Sequence, residues 1–276
     1  MRNLRSIALL AGVSLLCSSC GSPEAELPSE GAREGLSFEE FKATAHDEPD
    51  SDVFVVNGDI PVEGVDGLRE YYDTFVNPEL GTREDALAVY CLNGQRIKWS
   101  ATAARNLTYC ISTASFGSRY STVVSAMASA AATWETVANV NFIHLSQYDG
   151  SCTASQAGVV FDVRQTTTTS YLARAFFPNS SRSGRNILIS TSLFGSTGPY
   201  TLAGVLRHEL GHVLGFRHEP SPTPNPAPGC YEDSNFCRLT PYDPDSIMGY
   251  PHCGGIQTWE RNLSTLDQQG AHALYP

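Results

Sequence analysis

Beyond its first twenty positions, this chain of 276 residues contains no apolar run that approaches the ~20 consecutive residues a membrane-spanning helix requires. Basic clusters are missing too. The 18 lysines and arginines are dispersed, so nucleic acid is not an expected partner. Among the six cysteines beyond residue 20 no C-x-x-C pair occurs, which weighs against a zinc site built from thiolates. No repeat of fixed period divides the chain, so a single core is expected rather than an array. Methionine is scarce, with only Met1, Met127 and Met248, and the place of each is therefore informative.

What is present at the N-terminus is an export signal. Met1-Arg2-Asn3-Leu4-Arg5 is basic, and the apolar run Ile7 to Leu16 that follows is too short to stay in a bilayer, so residues 1–20 read as a signal peptide. Leu15 to Ser22 also resembles a bacterial lipobox with Cys20 as the residue to be lipidated, although Cys17 stands where leucine is usual. Lipid attachment at Cys20 and simple cleavage near it both stand as readings. Contact with a membrane is expected only through that anchor, and the mature chain is expected outside the cytoplasm or on the cell surface.

Of eight cysteines, Cys17 and Cys20 go with the signal, leaving Cys91, Cys110, Cys152, Cys230, Cys237 and Cys253. In an oxidising compartment these make up to three disulfides, with 15 complete connectivities open. Cys230 and Cys237 bracket a short loop, and a bond between them, or from either to Cys253, would brace the region between His218 and Met248. Charge divides the chain: residues 21–90 hold 18 of the 29 acids and 4 of the 18 basic residues, a net of −14, against +1 for residues 91–276.

The chemistry is concentrated in His208-Glu209-Leu210-Gly211-His212-Val213-Leu214-Gly215-Phe216-Arg217-His218. On a helix, positions four apart share a face, so His208 and His212 can aim imidazole nitrogens at one metal. Imidazole suits Zn²⁺, whose catalytic sites use three protein ligands and keep a fourth position open. Gly215 can turn sharply out of the helix and bring His218 back as the third ligand. Glu209, next to the first ligand, is placed to take a proton from a metal-activated water and pass it to the leaving amine. The added Gly and third His reduce chance matches by roughly two to three orders of magnitude over H-E-x-x-H alone.

This pattern is the extended zinc signature of the metzincin metallopeptidases, and the chain resembles that clan. Ser246-Ile247-Met248-Gly249-Tyr250 resembles its Met-turn, which implies Met248 as an apolar floor beneath the imidazoles. Phe216, Glu219 and Tyr250 resemble the astacin-like pattern, and over most of its length the chain resembles the secreted bacterial dual-action HEIGH metallopeptidases. The resemblance implies that the Tyr250 hydroxyl lies near the metal and stabilises the oxyanion. In astacins the glutamate matching Glu219 meets the mature N-terminus. Here Pro220 and a proline-rich stretch to Pro228 follow it, which departs from that pattern.

Residues 21 to about 50, with Phe38 and Phe41 as their only aromatics, read as a flexible acidic leader. A strand at Val53 to Val56, a turn at Asn57-Gly58 and a helix at Val65 to Phe75 follow. Residues 21–90 as a whole read as an acidic leader and propeptide. Astacin-like propeptides carry F-x-G-D, whose aspartate occupies the zinc before activation, and Val56-Asn57-Gly58-Asp59 resembles it with Val for Phe. Asp59 as a zymogen zinc ligand and Asn57-Gly58 as a plain turn are both open.

Residues 91–276 read as one α+β catalytic domain. Strands are expected at 106–111, 141–145, 159–163, 171–176 and 186–190. A long helix spans Ser121 to Val137, burying Val123, Met127, Ala130, Trp134 and Val137. The zinc helix starts near Thr201, and a last helix starts at Ser264 with Leu266, Gly270, Ala273 and Leu274 inward. The resemblance implies a mixed twisted sheet, backing helix, zinc helix, Met-turn and C-terminal helix. A substrate would lie extended along the edge strand at 171–177.

The function expected is a secreted Zn²⁺-dependent endopeptidase acting on proteins or peptides and made as a zymogen. The rival from another class is a non-catalytic surface binding protein on the same scaffold, against which an intact Glu209 argues. An esterase or amidase is a third.

Overall fold

The computed structural model describes residues 36–49, 51–76, 87–195, 200–219, 236–253, 255 and 263–276. The expected signal peptide with Cys17 and Cys20, the expected leader before residue 36, the proline-rich stretch 220–228 and Cys230 lie outside the described residues.

The leader expected to be flexible carries a helix, α1 (Phe38–Thr44). Ser37 and Glu40 cap it reciprocally, each side chain accepting from the other's backbone N–H. Phe38 and Phe41 are buried because they have partners: with Phe54, Val56, Ile60, Leu68, Tyr71 and Phe177 they form an apolar cluster of their own. The strands β1 (His46–Asp47), β2 (Val53–Val56) and β3 (Ile60–Glu63) make an antiparallel sheet, and α2 (Gly64–Phe75) follows. Burying each large apolar side chain stabilises by about 1.5–3 kcal/mol, and a period-based reading of the leader cannot see a cluster assembled from four elements.

A second small sheet joins β4 (Ala88–Leu92) to β5 (Gln95–Arg96) and, on its other side, to a strand near the C-terminus. The boundary drawn on charge at residue 90 falls inside β4.

After the short α3 (Ala101–Ala104), the main sheet is built from β6 (Leu107–Ile111), β7 (Phe142–His144), β8 (Phe161–Thr166), β9 (Ala173–Arg174) and β10 (Asn186–Ser190). Their order is β7-β6-β8-β10-β9, parallel except for β9, which runs antiparallel along the edge. β10 is buried at all five positions, as a strand covered on both faces should be. The edge strand is shorter than expected: only Ala173 and Arg174 pair, although Tyr171 to Phe177 is buried almost throughout.

Beyond α4 (Thr113–Phe116) runs α5 (Tyr120–Glu135). It buries Val123, Met127, Ala130 and Trp134 against the sheet and against α6 (Leu202–Leu214), and Trp134 Nε1 donates to Arg207 O at 2.8 Å. The chain ends through β11 (Phe236–Arg238), paired with β4, and α7 (Thr265–Leu274). In α7 the buried stripe is Asp267, Gly270, Ala271 and Leu274. Ala273 faces solvent, so the inward face is rotated from the one expected. Among the described residues, no helix is long and apolar enough to cross a membrane.

Two disulfides join described cysteines: Cys91 to Cys237 and Cys110 to Cys152, and Cys253 is also disulfide-bonded. Cys237 therefore reaches back to β4, which excludes, of the pairings left open, those of Cys237 with Cys230 or Cys253. Its partner, 146 residues distant, became a neighbour only through the pairing of β4 with β11. The Cys110–Cys152 bond ties buried β6 to the loop after β7 across 42 residues, a closure for which chain entropy predicts about 4 kcal/mol. Replacing both cysteines by alanine is expected to lower the unfolding free energy by up to that amount, read from urea denaturation under non-reducing conditions.

Candidate active site

α6 delivers two of the three histidines. It starts at Thr201, whose Oγ1 accepts from Gly204 N at 3.1 Å, and ends at Gly215, whose φ of +101° is left-handed. A Cβ at that position would run into Ile97 O, so glycine is required both by conformation and by space. Gly215 N donates to His212 O (2.8 Å) and Phe216 N to Gly211 O (2.9 Å), the closing bonds of a Schellman motif. The exit path is then held by β4, with Tyr90 N donating to Gly215 O (2.9 Å) and Arg217 N to Ala88 O (2.7 Å). That path returns His218 to the two helical imidazoles.

Backbone carbonyls orient two of the rings. His208 Nδ1 faces Ile247 O at 2.7 Å and His212 Nδ1 faces Phe216 O at 2.8 Å. A carbonyl can only accept, so each Nδ1 carries the proton and each Nε2 turns a lone pair inward. His212 Nε2 and His218 Nε2 stand 3.2 Å apart.

A carboxylate from the N-terminal segment enters this cluster. Asp59 Oδ1 is 2.9 Å from His218 Nε2 and 3.7 Å from His212 Nε2, and Oδ2 is 3.3 Å from His208 Nε2. The Asn57-Gly58 turn expected from sequence is present, with φ of +49° and +93°, and it is this turn that points Asp59 inward. One donor atom from each of these four buried residues lies within 4.8 Å of all the others. Tetrahedral zinc with ligands at 2.0–2.1 Å has ligand-to-ligand edges of about 3.3 Å, so the donor set fits that ion. Burial pushes the His208 imidazole down to about 4, which keeps it neutral, the form that ligates metal.

Glu209, beside His208, is buried, and its Oε2 has no hydrogen-bond partner among the described residues. Burial first and the Asp59 charge second hold its carboxyl well above the usual range. The Tyr250 hydroxyl donates to Asn57 O at 3.1 Å, while its ring centre lies 4.2 Å from that of His218. Tyr250 thus borders the cluster, with its hydroxyl engaged by the N-terminal segment.

Met248 is fully buried directly against α6, where a Cβ on Gly211 would collide with its sulfur. Its loop is held from the first turn of α7. Asp267 accepts from Ser246 Oγ (2.7 Å), Ile247 N (2.9 Å) and Ser264 N (2.9 Å). Since Ile247 O accepts the His208 Nδ1–H, the first turn of α7 orients an imidazole through one residue of the loop. Glu219 accepts from Asp243 N (2.7 Å), and its own N–H donates to Met248 O (3.0 Å), which ties the end of the histidine segment to the same loop.

A family model of the matrixins matches residues 98–249, more than half of the chain and including all three histidines and Met248. The chain belongs to the matrixin family. It is a zinc metallopeptidase of metzincin type, with the α+β fold expected of that clan. The match stops before Tyr250 and leaves residues 36–76 of this matrixin outside it. Similar solved structures include myroilysin, at 19% identity and TM-score 0.47, covering 68% of this chain and 98% of that one. Another is high choriolytic enzyme 1, a hatching enzyme zinc-protease from the medaka fish Oryzias latipes, also at 19% identity, with TM-score 0.45 and the same coverages. No curated protein matches this matrixin in sequence.

A second contact escaped sequence reasoning. Glu48 accepts from Arg174 Nε at 2.5 Å and Nη2 at 2.6 Å, and from the Tyr171 hydroxyl at 2.6 Å. Burial alone would raise the Glu48 carboxyl, but the guanidinium outweighs it and holds the group below its usual range. Nothing in D-E-P-D announces a partner more than 120 positions away, and only the folded chain brings the two together.

The depressed Glu48 pKa fixes a sign. Its contribution to stability is complete above the unfolded carboxyl value of about 4.3 and is lost as pH falls through the lower folded value. Glu48→Gln, which leaves a buried guanidinium without its counter-charge, is expected to cost about 3 kcal/mol at pH 7. It should also flatten the fall in stability below about pH 4. Urea unfolding of the full chain from pH 3 to pH 7 checks both. Gly215→Ala is expected to lower stability by about 1–3 kcal/mol, and zinc content in the same preparations reports whether His218 is displaced.

Proposed function

We propose that the chain is an exported endopeptidase made as a zymogen, in which residues 21–90 act as a prosegment and Asp59 silences the zinc site. The observation that carries this reading is the Asp59 carboxylate lodged among three imidazole Nε2 atoms. His208, His212 and His218 would hold the metal, and Asp59 would take the fourth position that catalysis needs open. Zinc, when bound, polarises the scissile carbonyl and makes an attacking water acidic.

The remaining work belongs to the chain. Glu209 accepts the proton of the attacking water through its unengaged carboxylate oxygen and returns it to the departing amine, so that the C–N bond breaks with a neutral leaving group. Tyr250 is freed from Asn57 O when the prosegment departs and donates its hydroxyl to the oxyanion formed at the carbonyl. Met248 and Asp267 keep the imidazoles in place without touching the substrate. The signal-like N-terminus and the disulfides among body cysteines support export, because such bonds persist in oxidising compartments.

Two substitutions in the full chain test the proposal against a denatured protein substrate. Glu209→Gln should retain zinc and lose activity by about 10²-fold or more after processing. Asp59→Ala should give measurable proteolysis before processing, while the unaltered precursor stays silent. A precursor as silent with Asp59→Ala as without it would remove Asp59 from the mechanism.

A further inference from the structure

The contact between Glu48 and Arg174 has a different character from a structural ion pair. Its halves lie on segments that the zymogen reading separates: Glu48 follows β1, and Arg174 closes β9. Arg174 is 2% exposed, and among the described residues Glu48 is its only ion-pair partner. Two guanidinium N–H groups and the Tyr171 hydroxyl surround one carboxylate, a geometry selective for that group over an amide of the same shape.

Its position is where a substrate would pass. β9 is the outermost strand of the main sheet and lies against α6, which carries His208 and His212. Arg174 stands opposite Leu188 in register, and Leu188 and Tyr171 meet Val53 and Val55 of the prosegment. Charge along the adjoining groove is divided by segment: the body contributes Arg164 and Arg174, and the prosegment Glu48, Asp52 and Glu63. When the prosegment leaves, a guanidinium and a phenol that shared one acceptor are left facing the cleft without it.

We propose that Arg174 and Tyr171 form a carboxylate-binding subsite of the peptidase, filled by Glu48 in the precursor and by an aspartate or glutamate side chain of the substrate after processing. This rests on the zymogen reading above. It assigns the enzyme a preference for extended segments that carry an acidic residue at one position along the edge strand.

The test uses the full chain with a site-specific protease sequence inserted between residues 76 and 87, processed and freed of the prosegment. Peptide libraries with Glu or Gln at each position are read in two ways: by cleavage, and by binding to the Glu209→Gln form. One position should favour Glu over Gln by about 10–100-fold in both readouts. That ratio should fall to within about threefold of unity in Arg174→Gln and to an intermediate value in Tyr171→Phe. A ratio near one at every position, or a ratio unmoved by Arg174→Gln, overturns the subsite. Should Arg174→Gln lose its zinc, Tyr171→Phe decides, and an unmoved ratio there overturns it equally. Discrimination in binding with no cleavage by any form upholds the subsite and overturns the peptidase mechanism. Cleavage without discrimination does the reverse.

Discussion

Three imidazole nitrogens turned toward one point in a buried space are the constraint on which the rest depends. His212 and His218 present Nε2 atoms 3.2 Å apart, and both residues are buried. Lone pairs so close repel unless a cation sits between them, and a metal site satisfies that demand in the body alone. Each carbonyl that accepts the Nδ1–H of a ring thereby fixes the lone pair at Nε2, and those carbonyls come from two places. Phe216 O is local to the helix exit, whereas Ile247 O depends on a loop that Asp267 anchors from the last helix. The fold is organised so that the two ends of the body, β4 and α7, both brace the histidine segment.

The histidines, Glu209, Gly215 and Met248 were legible because their spacing is short and each residue type has one chemistry. Thr201 and Ser264 were legible for the same reason: a cap is read within four residues. The edge strand and the face of α7 were less so. Ala273 and Ala271 differ by only two positions and are chemically identical, so composition cannot say which faces inward, and the decision falls to Asp267, whose buried bonds to Ser246 and Ile247 set the rotation. Residues 36–49 at the end of the leader differ from the expectation because acidic composition suggests solvation, whereas Phe38 and Phe41 find the aromatic side of Tyr71 and Tyr72 and the body residue Phe177. Long-range pairs were invisible in principle. Cys91 with Cys237 and Glu48 with Arg174 are consequences of sheet pairing and docking, with no local signal to betray them.

How the N-terminal segment holds to the body follows from a division of labour among its contacts. The apolar cluster around Phe41, Ile60 and Leu68 supplies non-directional burial and includes Phe177 from the body. By itself that would tolerate sliding. Two carboxylates remove the freedom: Asp59 enters the histidine cluster and Glu48 enters the Arg174 fork, and both are buried. A desolvated charge pair specifies register because any shift leaves a charge without its partner, at a cost of about 3–5 kcal/mol. Breaking the chain between this segment and the body changes none of these contacts. Under the proposed zymogen reading, cleavage on its own would therefore leave the segment docked, as a separate ligand whose departure gains translational freedom and whose return is opposed by dilution. Two carboxylates of this acidic segment, Glu48 and Asp59, thus meet the Arg174 guanidinium and the histidine cluster.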